Sequence, residues 1–176
     1  MKPKIIFVGG VHGVGKTFLC NRICDDLGIN HYSAGDLIRK IKEIEFPVNK
    51  HIEGISDNQD ALIIAVEKFL NRDSISLMDG HFCLLDSRGD IVSVPMTTFR
   101  SLSPIAIITL YDEPSNICTR IQDRDGSESE VDRITSFQER EIMYSRLVSK
   151  ELRVPYLLAN PFSEREAVHE FIRSIV

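Results

Sequence analysis

The chain of 176 residues is 43% hydrophobic and 27% charged, and its formal net charge is −5. This length corresponds to one globular domain whose core needs no disulfides. The acidic balance argues against a general nucleic-acid surface, which needs a basic face. No apolar run approaches the roughly 18 residues of a membrane span, and the first predicted strand leaves no room for a signal peptide, so we expect a cytoplasmic protein.

Strand and helix patterns alternate along the chain. Apolar runs predict strands at 4–9, 30–33, 74–79, 104–111 and 155–159. Amphipathic spacing and capping residues predict helices at 16–27, 35–46, 57–70, 114–124, 130–152 and 163–174. A hairpin is predicted at 82–94 and an irregular segment at 48–56. This alternation predicts a three-layer α/β/α domain with a five-stranded, mainly parallel sheet.

The segment after the first strand carries the phosphate-binding pattern of two glycines separated by four residues and followed by Lys and Thr. Glycines let successive backbone N–H groups point at a phosphate, and the next helix start adds partial positive charge. We expect ATP here, with Lys16, in a solvated loop, on the β- and γ-phosphates and Thr17 on Mg²⁺. A glycine-rich turn that binds nothing is the alternative. The loop comprises Gly10, Val11, His12, Gly13, Val14, Gly15, Lys16 and Thr17.

Asp79 ends the third predicted strand, at the edge of the sheet where the phosphate-binding loop is also expected. P-loop enzymes carry an acidic residue in this position that holds Mg²⁺, directly or through water. A turn-forming aspartate is the alternative. The cysteines show no CxxC and no zinc-site spacing with histidine. We therefore expect buried free thiols at Cys20, Cys24, Cys83 and Cys118.

A second segment resembles the acceptor-site sequence of the adenylate kinase and nucleoside monophosphate kinase family: Tyr32-Ser33-Ala34-Gly35-Asp36-Leu37-Ile38-Arg39. Alanine at position 34 stands where the family has threonine. In that family the arginine grips the phosphate of the acceptor nucleotide. The resemblance implies a P-loop kinase fold with Ser33, Gly35 and Arg39 at the acceptor. Taken alone, Arg39 is a solvated charge on a helix.

The region from Asp79 to Pro95 is similar to the archaeal-type adenylate kinases, in which Asp-Thr-His precedes a hairpin with a glycine turn. By this resemblance, His81 lines the acceptor pocket or orients Asp79. Arg88, in the turn, would replace the basic residue that this branch carries in the first hairpin strand, although a turn arginine is equally a solvated one. Residues 41–56 match no family segment, so the identity of the acceptor base stays open.

Arg120 and Arg124 lie four residues apart at the end of a predicted helix, just before a short polar break. Guanidinium groups placed there can close over a triphosphate and offset charge on the transferred group. The family's lid begins with a similar pair, and the chain resembles its short-lid members. Arg140 resembles the returning lid arginine better than Arg133 does, with surface ion pairing as the alternative. Asn160 matches a position near the family's adenine site, or forms a turn.

The resemblance implies a single kinase-like domain over 1–176, with an acceptor-binding helical segment at 34–73 and a lid region at 120–140. We expect ATP-dependent phosphoryl transfer to a nucleoside monophosphate, with AMP or dAMP as the favoured acceptor. Mg²⁺ is the expected cofactor, and no general base is needed. Two alternatives stay open. One is a kinase for another small molecule, and the other is an ATP-binding or ATP-hydrolysing regulatory module that acts with a partner protein.

Overall fold

Five parallel strands form the central sheet. The computed structural model describes residues 2–45 and 55–175. The strands, in chain order, are β1 (Lys4–Gly9), β2 (Asn30–Ser33), β3 (Ile75–Asp79), β4 (Cys83–Leu85), β5 (Ile91–Ser93), β6 (Ala106–Leu110) and β7 (Tyr156–Ala159). The antiparallel pair β4–β5 is the predicted hairpin, and the main sheet has the order β2-β3-β1-β6-β7. All predicted strands are confirmed.

Helices cover both faces of this sheet. Those of the described residues are α1 (Lys16–Leu27), α2 (Ala34–Glu45), α3 (Ile55–Phe69), α4 (Met96–Leu102), α5 (Pro114–Asp125), α6 (Val131–Leu152) and α7 (Arg165–Arg173). Because α3 begins at Ile55, the irregular segment predicted at 48–56 is wrong at its last two residues, and its earlier part lies outside the described residues. The predicted last residue of α2, Phe46, lies outside them as well. Within the described ranges, no helix combines the length and apolarity that crossing a membrane requires.

The short helix α4 was not predicted. Its seven residues include two threonines and a phenylalanine, which are weak helix formers, so local propensity gives little signal. Packing supplies the support instead, because Thr98, Phe99 and Leu102 are buried. The Phe99 ring lies edge-on to Phe7 of β1, with 5.5 Å between the ring centroids. Tertiary contacts therefore stabilise this helix.

Two hydrophobic clusters lie on opposite faces of the sheet. Along β1, Ile6 and Val8 belong to the cluster under α1, α5 and α7, whereas Ile5 and Phe7 belong to the cluster under α2, α3 and α4. A strand buried on both faces is expected in a parallel sheet covered by helices. The predicted three-layer α/β/α architecture is confirmed.

The carboxyl ends of the strands meet at one edge of the sheet. Asp79 lies in register with Ser33 of β2 and with Val8 of β1. The loop after β1 and the start of α2 follow directly at the same edge. Ligand sites in parallel α/β sheets lie at this edge, so the topology places the phosphate-binding loop, Ser33 and Asp79 together.

Candidate active site

The loop between β1 and α1 depends on glycines in positions that reject a side chain. Gly10 and Gly13 have φ angles of 144° and 80°, in the region that favours glycine. A Cβ at Gly10 would lie 2.8 Å from a carbonyl oxygen of β6, and one at Gly13 would lie 2.7 Å from a side-chain carbon of α5. Val11 and Val14 are fully buried and anchor the loop. Gly15 caps α1 without a side chain, so the first N–H groups of the helix face the site.

Lys16 is buried, so the prediction that it lies in a solvated loop is wrong. Its Nζ donates hydrogen bonds to the carbonyl oxygens of Gly10 at 2.7 Å and Val11 at 3.0 Å. Burial lowers the pKa of Lys16 to about 8, against the opposing effect of the Glu141 and Asp79 carboxylates. The ammonium group is therefore poorly solvated, and an anion entering the loop would gain a charge-assisted contact with it.

Asp79 stands in the middle of a chain of polar side chains. Its Oδ2 accepts a hydrogen bond from Thr17 Oγ1 at 3.3 Å and lies 2.7 Å from His31 Nε2. The other ring nitrogen of His31, Nδ1, lies 2.8 Å from Oδ1 of Asn21. The two predicted metal ligands, Thr17 and Asp79, are thus adjacent. Sequence analysis missed His31, although it lies two residues before Ser33 and therefore on the same face of β2.

Arg120 is fixed against the phosphate-binding loop. Its Nε donates to the carbonyl oxygen of Gly13 at 2.8 Å, and a terminal nitrogen donates to Asp112 Oδ2 at 2.6 Å. The guanidinium carbon lies 4.7 Å from the ring centroid of Phe162. Burial raises the pKa of Asp112, but hydrogen bonds from Arg120 and from Asn160, among others, bring this pKa below its usual value. The Asp112 carboxylate therefore holds Arg120 in place.

Arg124 lies at the mouth of the same loop. It donates to the two carboxylate oxygens of Asp125 at 2.8 Å and 2.9 Å, and it contacts the ring of His12. His12 Nε2 is itself 3.1 Å from Asp125. All three side chains are exposed. Exposed ion pairs contribute little free energy, so Arg124 can exchange these partners for a phosphate at small cost.

A cavity of about 740 Å³ lies over the loop, and we call it the larger cavity. Four cationic side chains and two carboxylates line it, in a chain whose net charge is −5. This local positive excess suits a polyphosphate. Arg39 reaches the cavity while paired at 3.0 Å with Asp36. The lining residues are His12, Gly13, Gly15, Lys16, Thr17, Phe18, Ser33, Gly35, Asp36, Arg39, Asp79, His81, Arg120 and Arg124.

A neighbouring cavity of about 240 Å³ is mostly apolar, and we call it the smaller cavity. It shares Ser33, Gly35, Asp79 and His81 with the larger one. Burial and the nearby Lys16 ammonium lower the pKa of His81. None of the described residues that line the smaller cavity is Lys or Arg. The other lining residues are Phe7, Ala34, Ile38, Asn58, Gln59, Leu62, Gly80, Leu84, Val94, Thr98, Phe99 and Leu102.

Six predicted site residues line neither cavity: Gly10, Val11 and Val14 shape the phosphate-binding loop from within, and Arg88, Arg140 and Asn160 lie elsewhere. Arg88 is 80% exposed in the hairpin turn, within 3.6 Å of the carboxylates of Asp86 and Asp90. Arg140 lines a shallow surface beside that turn, because it precedes an inward-facing residue on α6 and so points outward. Asn160 forms a turn, in which its Oδ1 accepts from two backbone N–H groups and its Nδ2 donates to Asp112.

Glu141 is a fully buried carboxylate that sequence analysis missed. Its Oε1 accepts hydrogen bonds from the backbone N–H groups of Phe82 and Cys83, both at 3.0 Å. His81 Nδ1 lies 3.5 Å from the same oxygen. Glu141 therefore fixes the backbone just after β3, next to Gly80 and His81, which line the smaller cavity. The available signal was its spacing of seven residues from the buried Ile134, which places both on one face of α6.

Known proteins match this chain over different lengths. A family model described as "AAA domain" matches residues 9–138. The UMP-CMP kinase of Xenopus laevis is 41% identical over 68 residues, which cover 38% of this chain and 34% of that protein. The UMP-CMP kinase of Gallus gallus is 51% identical over 39 residues, covering 22% of this chain and 20% of that protein. The matched part of the chain thus spans about a third or less of these relatives.

Two solved structures share the fold. A shikimate kinase from Acinetobacter baumannii in complex with shikimate has a TM-score of 0.58 at 16% identity, covering 99% of this chain and 94% of that one. A gluconokinase from Sinorhizobium meliloti 1021 has a TM-score of 0.53 at 15% identity, covering 98% and 97%. They confirm the predicted P-loop kinase fold, whereas the archaeal-type adenylate kinase branch stays a prediction. Because the family model matches most of the chain, the protein belongs to the AAA domain family.

Proposed function

We propose that this protein transfers the γ-phosphoryl group of ATP to a nucleoside monophosphate, with AMP and dAMP as the first candidates. The observation that carries the proposal is the pair of adjoining cavities. Lys16, Arg39, Arg120 and Arg124 surround the larger one, and a donor triphosphate and an acceptor phosphate both need such cations. Partial identity to UMP-CMP kinases supports the same class of acceptor.

The smaller cavity favours a neutral nucleobase as the other part of the acceptor. Its walls are mostly apolar, and Asn58, Gln59 and Thr98 supply polar groups for recognition. No Lys or Arg stands among its described lining residues, so it offers no cation to the carboxylate of a sugar acid. The acceptor phosphate would then lie on Arg39, at the boundary with the larger cavity.

The protein's part in the transfer is positioning and charge stabilisation. Lys16 and the first N–H groups of α1 would hold the β- and γ-phosphates, and Arg39 would hold the acceptor phosphate in line with the γ-phosphorus. Arg120 and Arg124 would offset the charge that develops on the transferred group. The attacking oxygen belongs to a phosphate that is already anionic, so no general base is required.

Thr17 and Asp79, which line the larger cavity next to the phosphate-binding loop, suit Mg²⁺ as ligands. Thr17 Oγ1 and Asp79 Oδ2 lie 3.3 Å apart, and hard oxygen donors are what this ion prefers. When bound with ATP, Mg²⁺ neutralises charge on the β- and γ-phosphoryl oxygens. We assign Thr17 and Asp79 as the residues that hold it.

A two-substrate titration tests the proposed function. The purified protein is incubated with MgATP and, in turn, AMP, dAMP, UMP, CMP, GMP, shikimate and gluconate, and the products are separated. Conversion of at least one monophosphate to its diphosphate is the expected result. Phosphorylation of shikimate or gluconate, without phosphorylation of any monophosphate, would indicate that the protein is a kinase for another small molecule. Steady ATP hydrolysis that no acceptor accelerates would instead indicate the regulatory module.

Replacing Arg39 by alanine is expected to raise the KM for the acceptor and to slow transfer, while the KM for ATP stays unchanged. Loss of a charge-assisted contact corresponds to about a 10–100-fold rise in acceptor KM. Steady-state kinetics with each substrate varied in turn measure the split. Arg88→Ala is the matched control, because Arg88 lines neither cavity and should leave both constants unchanged. Equal weakening of both substrates would contradict the acceptor role of Arg39.

The lowered pKa of Lys16 gives nucleotide binding a pH dependence. The free ammonium group loses its proton near pH 8, whereas a bound polyphosphate favours the charged form. Binding above pH 8 must therefore take up a proton, and affinity should fall by up to about tenfold per pH unit. Calorimetric titrations at pH 7 and 9, in buffers of different ionisation enthalpy, measure the uptake. Lys16→Arg keeps its charge at both values and should abolish the dependence.

A further inference from the structure

Cys20, His31 and Asp79 form a compact group of three different metal-ligating side chains. The Cys20 Sγ, one ring nitrogen of His31 and one carboxylate oxygen of Asp79 all lie within 4.8 Å of one another. We propose that this group binds a thiophilic divalent cation of the zinc type, at a site that shares Asp79 with the Mg²⁺ site assigned above and differs from it in the other ligands. The site does not depend on nucleotide binding or on phosphoryl transfer.

The three ligands come from elements that the fold holds rigidly. Cys20 lies on α1, one turn after Lys16, and is fully buried. His31 lies on β2, and Asp79 lies at the end of β3, which pairs with β2 in register. Metal bonds of about 2.0–2.3 Å put the ligand atoms of a tetrahedral zinc site roughly 3.3–3.8 Å apart. The 2.7 Å between His31 Nε2 and Asp79 Oδ2 therefore has to widen, and any separation near the 4.8 Å bound has to shrink by about an ångström. Both changes are within the reach of side-chain rotation.

The hydrogen bond behind His31 is the one that a metal-binding histidine needs. Asn21 Oδ1 lies 2.8 Å from His31 Nδ1 and can accept its proton. Without a metal, a hydrogen lies between Nε2 and Asp79 Oδ2, which are 2.7 Å apart. A bound cation would replace this hydrogen, which leaves to solvent, and the single ring proton would then stay on Nδ1. Metal-binding histidines usually donate their second ring N–H in this way, which fixes the tautomer and the ring orientation.

The donor set separates this cation from Mg²⁺. A thiolate and an imidazole select zinc-like ions, whereas Mg²⁺ takes oxygen ligands with octahedral geometry. On binding, the thiol proton of Cys20 leaves to solvent and the sulfur bonds to the metal as thiolate. Three protein ligands leave a fourth position open for water. The Asp79 carboxylate would then bind the cation beside Cys20 and lose its contact with Thr17. Binding of the zinc-type cation and binding of Mg²⁺ should therefore exclude each other.

Cobalt(II) absorption spectroscopy on the nucleotide-free chain of 176 residues, under a non-thiol reductant, tests the site. One Co²⁺ per chain should bind and give both the near-ultraviolet charge-transfer band of a thiolate ligand and intense visible bands of tetrahedral cobalt. Cys20→Ala should lose the charge-transfer band. Cys24→Ala is the matched control, since Cys24 is buried one turn later on α1, outside the group, and should keep it. A band that survives in Cys20→Ala, or disappears in Cys24→Ala, would overturn the proposal.

Two further variants keep the test decisive should Cys20→Ala fail to fold. Asn21→Ala should weaken Co²⁺ binding by about 10–100-fold while keeping the spectrum, because it removes only the partner of His31. His31→Gln should weaken binding further and change the visible bands. Binding equal to wild type in both variants, or no Co²⁺ bound at micromolar levels by the wild-type chain, would refute the site. Acceptor phosphorylation measured without transition metal reports separately on the proposed function.

Discussion

Replacing Lys16 by alanine is expected to reduce nucleotide turnover by at least about 10²–10³-fold, the usual cost of removing one preorganised group that stabilises a transition state. Lys16 is desolvated, and its Nζ has neutral carbonyl oxygens as hydrogen-bond partners in the described structure. The Lys16 ammonium group can therefore contact a phosphate by giving up hydrogen bonds to neutral carbonyl oxygens, and these are easier to replace than an ion pair. Initial rates of ADP formation, with and without acceptor, measure the loss.

The Lys16→Ala protein should remain folded. Alanine removes the two hydrogen bonds from Nζ to the carbonyl oxygens of Gly10 and Val11, which destabilises the fold. It also removes a charge that burial makes less stable in the folded protein than in water, which has the opposite effect. Urea unfolding of the variant should therefore stay within about 1.5 kcal/mol of the wild type. Lys4→Ala, an exposed lysine at the start of β1, is the control and should leave turnover unchanged. Wild-type turnover in Lys16→Ala would contradict the site.

The parts of the fold that sequence could predict are those encoded locally. The apolar runs of β1 and β6 and the glycine pattern at 10–17 each carry their own signal within a few residues. Helix α4 does not, because its helical state depends on the contact between Phe99 and the sheet. The alternation of strands and helices then restricts the topology, since neighbouring parallel strands must be joined by a crossover connection over one face of the sheet.

The same distinction separates the site residues that were found from those that were missed. Lys16 and Thr17 belong to one contiguous motif. His31 meets Asp79 across 48 positions of sequence, and Glu141 meets Cys83 across 58, so neither contact leaves a local pattern. Arg140 was the converse case. The family resemblance pointed to Arg140, which faces outward on α6, and gave no indication of the buried Glu141 beside it.

Replacing Glu141 by alanine is expected to lower the free energy of unfolding by about 2–6 kcal/mol, since each buried backbone N–H left unpaired costs about 1–3 kcal/mol. Two such groups, on Phe82 and Cys83, depend on this carboxylate in the described structure. Urea unfolding with a constant m-value measures the change. Glu139→Ala, an exposed residue two positions earlier on α6, should stay within about 0.5 kcal/mol of the wild type. An equally small effect at Glu141 would show that its hydrogen bonds are not needed.

Glu141→Gln separates the structural role of this side chain from its charge. One amide oxygen can still accept from Phe82 and Cys83, so this variant should lose much less stability than Glu141→Ala. The missing charge acts elsewhere, because the Glu141 carboxylate raises the pKa of Lys16 against the effect of burial. In Glu141→Gln that pKa should fall below about 8, and the pH above which nucleotide binding takes up a proton should fall with it. A folded Glu141→Gln protein with an unshifted binding profile would mean that the buried carboxylate supports only the backbone, and that Lys16 owes its charge at neutral pH to other groups.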